Sequence, residues 1–459
     1  MQEKFDALVA AASDSMKRNF LPGCAIGVIA EGQEFSAGLG VTSVDNPLPV
    51  DADTLFQIGS TTKTFTATAI MRLVEMGKLS LDEPIRTYLP DFAMRDQEAT
   101  AHATTRHLLT HVGGWVGDFF EDTGDGDDAL ALYVRQMAEL PQLTPLGAIW
   151  SYNNAAFSLA GHVLATVTGK TYEAAMLELV LKPLGLQRSY FFPSVVMLKR
   201  FAVGHAVVKD KVYVMRPWPI PRSAWPAGGI AASAKDQLRY ARFHLGDGTA
   251  EDGARVLAAG TLAAMKMPVC DGALDTKMGL SWMIQEMGGV RFVLHGGGTL
   301  GQLSTFMIVP ERNFALVIMT NAGSGGLVMG ETIKLALELF LDVKMQTPAL
   351  IEKPEAQLAE YVGRYDAAID TIELKVADGH LVMQVTPHGG FPTRDAPAGP
   401  PPPPTRLKFT APDRVAAIDP PFDRVVAIDP PFVGAQAEFL RTPDGEIEWF
   451  RYGRIHRRE

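Results

Sequence analysis

Two clusters of strand-like apolar runs stand far apart in the chain with helical patterns between them, and this arrangement restricts the fold more than any other feature. The first, "CAIGVIAEGQEFSAGLGV" from Cys24 to Val41, reads as a hairpin turning at "AEGQ". The second is "VRFVLHGGG" from Val290 to Gly298, followed by "STFMIVPERNFALVIMT", two runs joined at Pro310 to Asn313. Between the clusters lie "TATAIMRLVEMGKL", "AAFSLAGHVLATVTG" and "KDQLRYARFHLG", helical in spacing and ending at Gly77, Gly169 and Gly246, each suited to a glycine C-cap. Strands from both extremes around a helical middle predict an α+β domain whose antiparallel sheet joins the two ends of the region.

At 459 residues the chain is long enough for two or three domains. From Tyr361 the pattern becomes strand after strand. "YVGRYDA" comes first, then "TIELKV" and "HLVMQV" across an Asp378-Gly379 turn, and "AEFLRT" and "IEWFRYGRI" across Pro443-Asp444-Gly445. A small all-β domain is expected over 346–459, after a first domain over 1–345. "APAGPPPPPT" within it reads as an extended surface excursion. "DRVAAIDPPF" at 413–422 recurs as "DRVVAIDPPF" at 423–432, a duplication too short for a solenoid and suited to lengthening a loop or hairpin.

With 47% hydrophobic and 20% charged residues the composition is that of a globular protein, and no run approaches the roughly 20 apolar residues of a membrane helix. The start, "MQEKFDALVAAASDSMKRNF", places Phe5, Leu8, Val9, Ala12 and Met16 at helical spacing and lacks the order of a secretion signal, so a cytoplasmic chain is expected. A net charge of −10 argues against nucleic acid as a partner. Cys24 and Cys270 form neither a disulfide framework nor a metal spacing and are expected to be buried. The acidic "EDTGDGDD" at 121–128 lacks calcium-loop spacing and reads as a solvated loop near a cleft. Neither metal nor cofactor is implied.

Three short patterns carry chemistry. In "QIGSTTKTFTA", Ser60 and Lys63 stand three apart, so a helix places the lysine amine beside the serine hydroxyl, which needs an adjacent base to act as a nucleophile. The same residues also suit an N-cap with a solvated lysine. "WSYNNAAF" holds the sole Tyr-x-Asn of the chain, Tyr152 and Asn154; a tyrosine can shuttle a proton, and an amide can accept from a lysine while donating to a carbonyl. In "FVLHGGGTLGQ", His295 ends an apolar strand. The glycines after it allow close backbone approach, so the N–H of Gly298 with that of Ser60 is a candidate oxyanion hole. His111 and His244 also precede x-Gly and read as core or solvated histidines.

With "RHLLTHVGG", "PAGGIAASAKDQLRYA" and "HGGGTLGQLSTFMIVPERNFALVIMTN", these patterns make residues 5 to 340 resemble the serine β-lactamase and penicillin-binding-protein superfamily. The resemblance is to its class C branch, with the D-aminopeptidases and family VIII esterases. It implies Ser60 as the acylated nucleophile, Lys63 as its base and Tyr152 as a proton shuttle that protonates the leaving group. It also implies that Asn154 orients the substrate amide and that His295, Gly296 and Gly297 stand where many members carry Lys-Thr-Gly. Histidine there is similar to the D-aminopeptidase type and implies weak β-lactamase activity, since a neutral imidazole attracts a carboxylate less than lysine does. The tail, beginning "LAEYVGRYD", resembles the lipocalin-like barrel appended to some of those peptidases, where docking beside the site would limit substrate size. The function so implied is a serine hydrolase of small amides or short peptides, without cofactor and with self-association left open. An esterase of small acyl esters and a non-catalytic binding protein on the same fold are the alternatives.

Overall fold

The computed structural model of the chain describes residues 1–346, 348–419 and 435–459. The second copy of the duplicated decapeptide lies outside these described residues, while the first contributes the strand Arg414–Ala417.

The expected sheet forms from the two ends of the first domain. Gly23–Ala30 pairs antiparallel with Gln33–Gly40 on one side and with Phe314–Thr320 on the other, so that Ile26 faces both Ala37 and Ile318. Beyond Phe314–Thr320 come Leu303–Val309, Val290–Gly298 and three shorter strands, eight in all. The turn at Glu31 and Gly32 has φ of 50° and 74°, the pair of positive values that matches the twist of a two-residue hairpin. Every residue of Gly23–Ala30 is buried because helices cover both faces. Helices Gln2–Arg18 and Gly325–Ala336 bury Phe5, Leu8 and Ile333 against Ile26, Val28 and Ile318. On the opposite face, helix Ala234–Leu245 seats Leu238 over Gly27, where a Cβ would fall 2.8 Å from the leucine Cγ.

The helical middle is built on Thr62–Glu75 and Asn154–Thr168, both buried along most of their length. Gly77 and Gly169 take the left-handed conformation of a glycine stop, φ 66° in each. Gly246 does not: it ends its helix in an extended conformation, φ −85° and ψ −157°, which any residue can adopt. Cys24 is buried in the central strand and Cys270 is half-buried at the sheet's far edge; burial pushes both thiols up, Cys24 to about 12 and Cys270 to about 11. Loop 121–128 is largely exposed, with Arg222 donating to Asp127 at 2.8 Å and Arg394 to Glu121 at 2.8 Å. Among the described residues no helix is long and apolar enough to cross a membrane.

The second half of the expectation also forms, as a closed barrel of eight antiparallel strands from Gly363–Asp366 to Arg454–Arg458. Its interior is filled rather than hollow. Tyr361, Phe409, Phe439 and Phe450 pack there as tilted rings, successive centroids 4.6 to 4.8 Å apart. The proline-rich excursion runs exposed and without regular structure. One expected strand is wrong: "IEWFRYGRI" is two strands, Ile447–Tyr452 and Arg454–Arg458, folded back at Gly453 with φ 71° so that Tyr452 pairs with Arg454. Fully buried Phe450 sits where these rings meet. Phe450→Ala is expected to cost about 3–5 kcal/mol in urea unfolding, the range for emptying an aromatic site in a packed core; a loss under about 1 kcal/mol would mean that the barrel interior collapses freely.

Candidate active site

Ser60 follows the short strand Phe56–Gln57 and lies in a single 3-10 turn, Gly59–Thr61, that feeds helix Thr62–Glu75. It is therefore not the helix N-cap. The tighter turn matters, because three residues per turn eclipses positions i and i+3 and sets Ser60 under Lys63. Gly59 makes the turn possible with φ 49°, and its missing side chain lets Gly298 approach, since a Cβ at Gly59 would lie 2.5 Å from the Gly298 nitrogen.

Lys63 is wholly buried, against the alternative of a solvated lysine. Its Nζ lies 3.0 Å from Ser60 Oγ, 2.8 Å from Asn154 Oδ1 and 2.8 Å from the Ala227 carbonyl. Three acceptors match the three donors of an ammonium. The neutral amine fits the same place, donating to Asn154 and Ala227 and accepting from the serine hydroxyl, so a proton can pass between Ser60 and Lys63 without other bonds breaking.

Asn154 opens the helix Asn154–Thr168, which Asn153 caps by accepting from the Ala156 N–H at 2.8 Å. The Asn154 amide accepts from Lys63 as expected, but one donor is already engaged: Nδ2 donates to Asp118 Oδ1 at 2.8 Å. The second N–H of that amide is left for other acceptors in the cavity it lines. The Tyr152 ring is nearly buried, with Lys63 Nζ 4.9 Å and the Arg454 guanidinium carbon 5.0 Å from its centroid. His111, read as a core or solvated histidine, is buried; it stacks on Tyr152 at 4.5 Å and accepts the Asn153 N–H on Nδ1 at 3.0 Å.

His295 is placed differently from its expected role. Its side chain is fully buried and absent from the cavity wall; the imidazole turns back on its own strand, Nδ1 lying 2.6 Å from the Gly296 carbonyl. A carbonyl only accepts, so Nδ1 carries the proton. Burial first, and then the Lys63 charge, push the ring down to about 3, making it neutral at ordinary pH. The glycines do reach the cavity: Gly296, Gly297 and Gly298 line it with Ser60, Tyr152 and Asn154.

That cavity, about 330 Å³, has apolar walls at Phe120 and Ile220, and the barrel completes it with Ile369, Phe391 and Arg454. Phe391 meets Phe120 edge to face at 5.0 Å. The hairpin turning at Gly453 is what docks: the Gly453 carbonyl accepts the Tyr152 N–H at 3.2 Å, the Ile455 N–H donates to Ser151 Oγ at 3.2 Å, and Arg451 donates to the Trp150 carbonyl at 3.1 Å. Arg454 then grips Asp118 through Nε at 2.5 Å and Nη2 at 3.0 Å. Asp118 and Arg454 escaped the sequence reading. A lone glycine inside an otherwise unbroken strand pattern, Gly453, is the signal that could have found the hairpin.

The family model described as beta-lactamase matches residues 5–338. The chain belongs to the beta-lactamase family. Within this family it is 35% identical over 332 residues to penicillin-binding protein 4 of Amycolatopsis lactamdurans, an alignment covering 70% of this chain and 84% of that one. It is 28% identical to the unguisins hydrolase ungD of Aspergillus violaceofuscus, covering 67% of this chain and 60% of the relative. Among solved structures, SurE superposes with a TM-score of 0.78 at 26% identity over 100% of this chain and 99% of its own, barrel included; a second SurE structure holds D-Leu.

The buried imidazoles give this beta-lactamase relative an acid limit. His295, held at about 3, and His111, held well below its ordinary value mainly by burial, each take up a proton when the chain unfolds. Their contribution is therefore complete above the unfolded value of about 6.5 and is lost as pH falls from there. The melting temperature is expected to fall between pH 6.5 and 4, with a smaller slope in His295→Gln; an unchanged slope in that variant would mean that His295 titrates alike in both states.

Proposed function

We propose that the chain is a serine hydrolase working through an acyl-enzyme on small amides or peptides, with D-residues among its substrates. The contact that carries this reading is Lys63 Nζ at 3.0 Å from Ser60 Oγ, in a buried setting whose other two acceptors hold the amine still. In the proposed reaction Lys63 takes the Ser60 proton as Oγ attacks the carbonyl, and the N–H groups of Ser60 and Gly298 receive the oxyanion. Tyr152, with cationic groups on two neighbours, returns a proton to the leaving amine, and water then releases the acyl group. Asn154 offers its remaining N–H to the substrate, while Gly296 and Gly297 present strand backbone to it.

The peptide preference is supported by the D-Leu held in one SurE structure and by the hydrolase name of the fungal relative. Weak β-lactamase activity is consistent with the charges near the cavity: the buried His295 is neutral, and the charge of Arg454 on the wall is matched by Asp118. The barrel's Ile369 and Phe391 close the apolar end, which suits small substrates.

A fluorophosphonate probe is expected to add one adduct on Ser60 and none on Ser60→Ala; equal labelling of both would end the catalytic reading. Turnover of D-aminoacyl p-nitroanilides is expected to exceed that of the L-forms and of nitrocefin. A clear preference for p-nitrophenyl butyrate would make the protein an esterase instead.

A further inference from the structure

Asp118 has no place in the reaction as described, yet it is the most deeply held carboxylate at the cavity, its side chain 3% exposed. Burying a carboxylate costs several kcal/mol unless it is paired and hydrogen-bonded. Its partners connect the two domains. Arg454, 336 residues further along the chain, donates to both oxygens, and Oδ1 also accepts from Asn154 Nδ2. Asn154 Oδ1 in turn receives Lys63, which holds Ser60. The series Arg454, Asp118, Asn154, Lys63, Ser60 is unbroken from the barrel hairpin to the hydroxyl.

Direction gives this series its content. A primary amide can turn over and exchange its oxygen for its nitrogen, but a carboxylate only accepts, so Asp118 requires Nδ2 on its own side and thereby Oδ1 toward Lys63. Turned the other way, the amide would present donors to an amine that is itself a donor, and Lys63 would lose one of its three acceptors. Arg454 fixes the carboxylate in turn, with a planar fork that matches both oxygens.

We propose that Asp118 and Arg454 are positioning residues for the Ser60–Lys63 pair, so that the barrel is part of the reacting centre and not only a wall. This rests on the reading that Ser60 is acylated. Docking of the two domains has other anchors, among them Arg414 on Asp275 at 2.8 Å and the buried Arg451 and Glu438, whose Oε1 accepts the Leu274 N–H at 2.5 Å. The pair on Asp118 can therefore be tested apart from docking.

The test follows the rate of fluorophosphonate labelling at Ser60, with kcat and KM on a D-aminoacyl p-nitroanilide, in the full-length protein. Arg454→Met is expected to lower labelling and kcat by about 10- to 100-fold, the size of effect that misplacing a reacting group produces, with KM changed far less. Arg454→Lys, which keeps the charge and the fold but loses the fork, should recover part of that loss. Asp118→Asn should fall by a similar factor, and the Asp118→Asn/Arg454→Met double variant should be little slower than the worse single, because both act through one contact. Arg414→Met, which breaks a docking pair away from the cavity, should label like the parent. Parental labelling in both Arg454 variants, an equal loss in Arg414→Met, or multiplicative losses in the double variant would each overturn the inference. A parent chain that never labels at Ser60 would instead remove the acyl-enzyme reading beneath it.

Discussion

A buried lysine amine organises this molecule. Lys63 is wholly buried and needs three acceptors in fixed directions, and each comes from a different part of the fold: Ser60 from the turn before its own helix, Asn154 from the start of the next long helix, and the Ala227 carbonyl from the short helix Trp225–Gly228. Leaving any donor unmet in such surroundings costs about 1–3 kcal/mol, so the three segments are tied together by the same group that the proposed reaction uses. The glycine strand then closes over the turn because Gly59 and Gly297 carry no Cβ; one at Gly297 would stand 1.9 Å from the Ile58 carbonyl.

Much of this is legible in the chain where the determining distances are short. The spacing of Ser60 and Lys63 needs only one helical turn to become a contact, and the sheet joining the ends of the first domain follows from strand periodicity alone. The approach of Gly298 to the turn at Gly59 is half legible, since glycines announce close approach without saying to what. The resemblance places His295 with Gly296 and Gly297 at the substrate, but alternation along a strand does not tell which face a pocket opens on. The imidazole instead turns Nδ1 to the neighbouring Gly296 carbonyl.

What stayed hidden depends on docking. Asp118 has no pattern around it, lying just before an acidic loop that is solvated, and Arg454 sits in a run that reads as one strand. Their contact spans 336 residues and exists only because Gly453 folds that run back toward Tyr152. No local propensity encodes a meeting of that kind; it is decided by how two separately packed cores fit.

The filled interior of the barrel bears on its purpose. Among the described residues Tyr361, Phe409, Phe439 and Phe450 pack against one another inside it, and the contacts it makes with the first domain lie at its surface. That surface holds the Tyr152 segment by backbone bonds and closes the cavity with Ile369 and Phe391. A packed barrel core suits this work, because the hairpin at Gly453 holds a guanidinium within hydrogen-bond reach of Asp118. In the proposed reaction the first domain supplies the nucleophile and its proton path, while the second sets the polarity and depth of the cavity in front of them. With His295 buried and neutral and the Arg454 charge matched by Asp118, the proposed preference for an uncharged amide segment over a free carboxylate has its physical ground in how both domains dispose of their charges.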